Sequence, residues 1–301
     1  MSGTPRRILL ATDLSPRCDR ALDRAVMLAT QWGSELVVLH ALERFDDDSL
    51  KGTSLPSWRR PPDPVSLARK QLLADVGTAV SKLTVLIDQG DPADAILRAV
   101  DNEQCELIII GAARNELLGR FILGGTVDRL LHSSRVPLLV VKTRPRAPYG
   151  QIVVATDFSG SSLGALKAAV RLFPDRKLMA FHAYDHSEHG NTENSPSHHH
   201  ERRAAARNDY ETFIAKVAKP PAWQEPHVLI EDGPPVSLLH DLVHSKDVDL
   251  IVLGSRGRNM LVQAFLGSVA KAILNEVPCD ALLVRQAQAA LDARERDQCR
   301  P

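Results

Sequence analysis

The chain has 301 residues, with 37 lysines plus arginines against 37 aspartates plus glutamates, and 44% of its residues are hydrophobic. That length is about twice a usual domain, so two domains are expected, and the balanced charge without a basic stripe argues against nucleic acid as a partner. No apolar run reaches the roughly 18 residues of a membrane helix. The opening MSGTPRRILLATD lacks the length and cleavage site of a signal peptide, so a cytoplasmic protein without a membrane partner is expected.

Along the chain, short aliphatic runs alternate with longer stretches of helical period. The first run spans 8–11; Leu22, Ala25, Val26 and Ala29 then recur at helical spacing, with Ser15 placed to cap that helix. Further strands are expected at 36–39, 83–87, 107–110 and 138–141, continuous apolar runs of the kind a sheet buried on both faces requires. ERFDDDSLKGTSLPSWRRPPDP at 43–64 reads as a loop, with Asp46, Asp47 and Asp48 as a solvated charge run. KTRPRAPYG at 142–150 has the prolines and glycine of a short extended connector. Five more runs follow at 152–155, 178–181, 228–230, 250–253 and 281–284. YDHSEHGNTENSPSHHHERR at 184–203 holds five histidines. Its 186–200 portion is expected to be a solvated loop rather than a metal site, because three consecutive histidines cannot all face one ion on a regular element. Cys18, Cys105, Cys279 and Cys299 form no C-x-x-C pair and read as reduced thiols.

The two series are copies of one unit. RRILLATDLS at 6–15 returns as GQIVVATDFS at 150–159, QGDPADAILRAV at 89–100 as DGPPVSLLHDLV at 232–243, and CELIIIGAAR at 105–114 as VDLIVLGSRG at 248–257. The offset is 143 or 144 positions throughout. The expected organisation is therefore a first domain at 1–143, a linker at 144–150, a second domain at 151–286 and a polar tail at 287–301. Strand and helix alternating five times in each copy imply an open, mostly parallel α/β sheet with helices on both faces.

In such a sheet the ligand crevice lies beyond the carboxyl ends of the strands, where strand order switches. Asp13 and Asp157 each follow a first strand, and glycines follow each fourth strand. In the second copy Gly254 and Gly257 are spaced G-x-x-G, and nine residues later Gly267-Ser268 opens a helix. Unpaired N–H groups at a helix start, the Ser268 hydroxyl and the Arg256 cation can together hold a polyphosphate, while Asp157 can accept from ribose hydroxyls. The same residues also have a plainer reading, as glycines that turn the chain and aspartates that cap the next helix. Neither G-x-x-x-x-G-K-[ST] nor G-x-G-x-x-G after the first strand is present, which argues against a P-loop or a dinucleotide site. His40 and His182, matched at the ends of the second strands, are expected to be structural partners of the sheet edge.

The duplicated ATD(L/F)S after strand one, with G-x-x-G, nine residues and G-S after strand four, resembles the universal stress protein family in its tandem form. The similarity runs from about residue 5 to 286. It implies two Rossmann-like five-stranded domains related by pseudo-twofold symmetry through their fifth strands, with a further homodimer open to them. It also implies ATP, ADP or AMP as ligand, with magnesium accompanying a triphosphate, an unidentified protein partner, and a role in stress response rather than a dedicated reaction. Carried over by position, the contacts are Ala155, Thr156 and Asp157 after strand one, Ala183 after strand two, and Gly254, Arg256, Gly257, Gly267, Ser268 and Val269 at the phosphates. The first copy keeps Thr12, Asp13, Ala41, Gly111 and Gly124, but Arg114 stands in place of Gly257 and Gly125 in place of Ser268, with Thr126 next to it. A non-glycine residue at a positive φ and the lost hydroxyl imply a weakened first site and one competent site, in the second copy. Two other functions stay open: a slow ATP-hydrolysing or adenylyl-transferring enzyme, and an interaction module that has lost nucleotide.

Overall fold

The structure is a computed structural model and describes residues 3–16, 18–42, 63–115, 120–184, 196–219, 223–255 and 266–285. The first copy runs β1 (Arg7–Thr12), α1 (Asp19–Trp32), β2 (Glu35–Leu42), α2 (Pro64–Val76), β3 (Leu83–Gln89), α3 (Pro92–Asn102) and β4 (Ile108–Gly111). A hairpin absent from the sequence expectation follows, β5 (Ala113–Asn115) and β6 (Arg120–Ile122), then α4 (Gly125–Ser133) and β7 (Leu138–Val141). The second copy runs β8 (Ile152–Ala155), α5 (Gly160–Leu172), β9 (Leu178–Tyr184), α6 (Pro196–Ile214), β10 (His227–Asp232), α7 (Pro235–Lys246), β11 (Leu250–Gly254), α8 (Ser268–Glu276) and β12 (Asp280–Val284). All ten expected strands are present. The expected loop at 43–64 lies outside the described residues up to 62. Because α6 begins at Pro196, the histidines at 198–200 sit on a helix, which corrects the expectation of a loop through residue 200.

The strands form one ten-stranded sheet in the order β10-β9-β8-β11-β12-β7-β4-β1-β2-β3. Within each copy every pair of this sheet is parallel, the β5–β6 hairpin forming a separate antiparallel pair; β7 and β12 join the copies antiparallel, with Leu139 opposite Leu282. Those two leucines are 143 positions apart, the offset of the sequence repeat, so the pseudo-twofold axis passes between them. Both fifth strands are thereby paired with each other, and β3 and β10 form the two edges of the described sheet. Alternate residues of each strand feed two cores. Ile8, Leu10, Leu36 and Val38 face α1 and α2, while Leu9, Val37, Ile108 and Ile110 face α3 and α4.

The connector is built into this body. Asp280 is fully buried, and its Oδ1 accepts from the backbone N–H groups of Lys142 and Thr143 at 2.8 and 3.0 Å. Its Oδ2 accepts from the Tyr149 hydroxyl at 2.6 Å and lies 3.4 Å from Arg24 Nε. The Arg24 guanidinium stacks 3.8 Å from the centroid of the Tyr149 ring and donates to Ala147 O at 3.1 Å. Gly150 and Gln151 donate to Asp249 Oδ2 at 2.8 and 2.9 Å. The connector is thus tied to α1 of one copy and to strand ends of the other.

Candidate functional site

In each copy β1 or β8 lies between its second and fourth strands, so the chain's change of direction falls beside the first strand. The turn that follows is the same in both. Thr12 Oγ1 accepts from Leu14 N–H at 3.1 Å and Asp13 Oδ1 from Ser15 N–H at 2.9 Å; Thr156 and Asp157 accept likewise from Phe158 at 2.9 Å and Ser159 at 3.0 Å. Two successive side-chain turns hold the residue after the aspartate left-handed, Leu14 at φ 60° and Phe158 at φ 62°. This explains the repeated Thr-Asp-x-Ser without a ligand. His40 and His182 brace the turns: each Nδ1 lies within 2.9 Å of the carbonyl oxygen of Thr12 or Thr156 and therefore carries the proton.

The two turns then diverge. Ser159 caps α5, accepting from Ser162 N–H at 3.2 Å. Ser15 does not cap α1, which corrects that expectation: its hydroxyl is committed to Asp13 Oδ1, and the N-cap position falls to Cys18. The Cys18 thiol donates to the same oxygen at 3.0 Å, and burial pushes its pKa up, which keeps it a donor.

A cavity of about 430 Å³ opens over the carboxyl ends of β1, β2 and β4 in the first copy. Ala11, Leu39, Ile96 and Ile110 form an apolar floor. Thr12, Asp13, Ala41, Gly111, Gly124 and Thr126 all line it, so six of the eight weaker-site residues meet in one place. Gly124 is the N-cap of α4, without a side-chain cap bond, and Gly125 is that helix's first residue. Arg129 of α4 bridges Oδ1 of Asp91, the N-cap of α3, at 2.8 Å and Asp94 Oδ1 of that helix at 2.5 Å, fixing this helix start beside the cavity. Arg114 pairs with Phe121 in the β5–β6 hairpin. Its main chain is therefore committed to the hairpin rather than shaped like a glycine turn.

In the second copy Ala155 ends β8, Ala183 lies near the end of β9, and Gly254 ends β11. Gly267 is the N-cap of α8, with Ser268 and Val269 exposed in its first turn. Arg256 and Gly257 lie outside the described residues. Gly254 has a packing reason to be glycine: a Cβ there would sit 2.6 Å from Ser161 Oγ and 2.7 Å from its carbonyl carbon, at the start of α5. Among the described residues no three side chains of metal-ligating type come together.

A model of the universal stress protein family matches residues 4–142 and again 148–285. The chain belongs to this family. A universal stress protein of Synechocystis sp. is 28% identical over 153 residues, covering 46% of this chain and 98% of its own length. One from Thermus aquaticus is 30% identical over 137 residues, with the same coverage of each. Both relatives therefore match a single copy. Over nearly the whole length, the fold matches a universal stress protein from Archaeoglobus fulgidus DSM 4304, with a TM-score of 0.67, 21% identity and coverage of 93% and 98% of the two chains. A functionally unknown protein from Pseudomonas aeruginosa PAO1 gives 0.67 and 20%, covering 98% of each chain.

One residue of this tandem universal stress protein escapes a motif reading. Ser255 lies between Gly254 and Arg256, is 6% exposed, and its hydroxyl has no hydrogen-bond partner among the described residues.

Proposed function

We propose that this universal stress protein binds an adenine nucleotide and acts through that binding as a stress-response regulator in the cytoplasm, rather than as a dedicated catalyst. The observation that carries the reading is the first-copy crevice. It has an apolar floor suited to a base, an aspartate at the lip suited to ribose hydroxyls, and an uncapped helix start suited to phosphate. The second copy repeats the aspartate turn and the glycine-capped helix and adds the Ser268 hydroxyl. Both crevices offer a helix start, and the Ser268 hydroxyl, which Gly125 lacks, makes the second the stronger site in this reading and the first the weaker. ATP, ADP and AMP share the groups involved. Magnesium would arrive with a triphosphate, and no protein ligands are assigned to it. Bound nucleotide would change affinity for a protein partner by its differential affinity for two states of the protein.

The test is to denature freshly purified protein and identify the released nucleotide by chromatography and mass spectrometry, alongside Gly257→Arg and Asp157→Ala. A single adenine nucleotide per chain, lost in both variants, is the expected result. Nucleotide that persists in both moves the site to the first crevice. None, even after soaking with ATP, overturns the reading in favour of a partner-binding module.

A further inference from the structure

We propose that the outer edge of β10 is a docking site for an acidic, extended segment of a partner protein, which adds to the sheet as a further strand while its carboxylates meet Arg203 and Arg207 of α6. This surface lies apart from both crevices and does not depend on the nucleotide reading.

Among the described residues β10 is hydrogen-bonded to β9 alone and ends the sheet, so one row of its backbone N–H and C=O groups has no strand to pair with. Val228 and Ile230, two positions apart, point to the same face of β10. Beside them opens a groove of about 290 Å³, lined by these two residues and by His200, Arg203, Ala204 and Arg207 of α6. The four helical residues recur at i, i+3, i+4 and i+7 and so form one stripe along the helix. That stripe continues into Tyr210, which is buried and donates its hydroxyl to Pro226 O at 2.9 Å. The helix is thereby fixed against the chain just before β10, and the groove is built before any partner arrives.

Arg203 and Arg207 are exposed and make no hydrogen bond or ion pair among the described residues, whereas Arg98 and Arg129 are each paired with aspartate. No acidic side chain lines the groove. Two features then select the partner. The open edge alternates donors and acceptors, which an extended polypeptide matches and a phosphate backbone, an acceptor alone, does not. The cations select acid at every second position, because a strand added about 4.8 Å beyond β10 presents alternate side chains to the α6 face. A second copy of this chain fits poorly, since pairing β10 with β10 brings like charges together.

The test is fluorescence anisotropy at low salt with labelled peptides about ten residues long, the upper length of an ordinary strand. One peptide alternates glutamate with threonine, and another has lysine for each glutamate. Two more are the glutamate peptide N-methylated on its glutamates or on its threonines. Full-length wild type should bind the glutamate peptide roughly 10-fold more tightly than the lysine peptide, what two exposed ion pairs supply together. The double variant Arg203→Glu, Arg207→Glu should reverse that order at an equal melting temperature. One of the N-methylated peptides should lose binding, and amide exchange over residues 227–232 should slow when the glutamate peptide is bound. Absence of binding, equal binding of the glutamate and lysine peptides, or an order unchanged in the double variant overturns the proposal. Binding kept by both N-methylated peptides, or unchanged exchange over 227–232, overturns strand addition in favour of a purely ionic contact. A dimer in which that exchange is already slow without peptide overturns it in favour of a second copy. The peptide comparisons on wild type decide the matter even where the double variant melts early.

Discussion

Gly254 separates two reasons for a glycine after a strand. A glycine there can admit a phosphate, but this one admits the backbone of Ser161, 2.7 Å from where its Cβ would stand. Contact that close is with main chain, which cannot rotate away, so Gly254→Ala should push α5 off the sheet and cost about 3 kcal/mol. Gly164, inside α5 with nothing within 4 Å of its Cβ position, should behave oppositely. Gly164→Ala should stabilise by about 1 kcal/mol, because alanine loses less backbone freedom in a helix. Urea midpoints of the two variants check the pair, and a shift of the same sign in both would sink the packing account. The sequence shows that Gly254 follows a strand. It cannot show a contact with a residue 93 positions earlier. The strain at Leu14 and Phe158 is hidden for a similar reason: nothing in a leucine or phenylalanine announces a positive φ, although Thr and Asp before it supply the acceptors that enforce one.

At the scale of elements, the junction of β7 with α8 carries a buried cation. Lys142 Nζ donates to Val277 O at 2.7 Å and lies 4.9 Å from the Phe121 ring centroid, and burial lowers its pKa from 10.5 to about 8. Between about pH 8 and 10.5 the unfolded chain holds this proton and the folded chain does not, so the lysine's contribution to stability rises with pH across that window. Burial of Cys279 works in the other direction, raising its thiol from 9.0 to about 12, so the net profile alone does not isolate the lysine. The gap between wild type and Lys142→Met does. It should move in favour of wild type by about 3 kcal/mol between pH 7.5 and 10.5 in guanidinium titrations, and a pH-independent gap would refute the assignment. The parallel strands were legible as continuous apolar runs because both of their faces are buried. The β5–β6 hairpin was not, since its short strands lie outside the main sheet and lack such a run. The crevice residues Thr12, Asp13, Gly111 and Gly124 were legible because strand order alone brings the ends of β1 and β4 together.

For the whole molecule, the repeat announces two domains, yet the physical unit is larger than either. The sheet runs unbroken through Leu139 and Leu282, and the Asp280 cluster draws its partners from the connector and α1. The first copy has Pro137 where the second has Asp280, so this cluster has no twin across the axis and depends on both halves being present. Tyr149 also packs edge-on against Phe173, the C-cap of α5, with ring centroids 5.8 Å apart, and the Phe173 ring lies 5.9 Å from that of Trp32 of α1, continuing the shared core across the copies. Separating the halves would expose the apolar faces of β7 and β12 and leave a buried carboxylate without its partners, a loss of several kcal/mol before either half unfolds. Neither half can then persist alone through the transition. A chain of 301 residues with two domains would ordinarily unfold in steps. This one should melt once, with coincident near- and far-ultraviolet circular dichroism and a calorimetric enthalpy equal to the van't Hoff value. Two resolved transitions, or a calorimetric enthalpy about twice the van't Hoff value, would mean that the halves are independent and that the Asp280 cluster merely decorates their boundary.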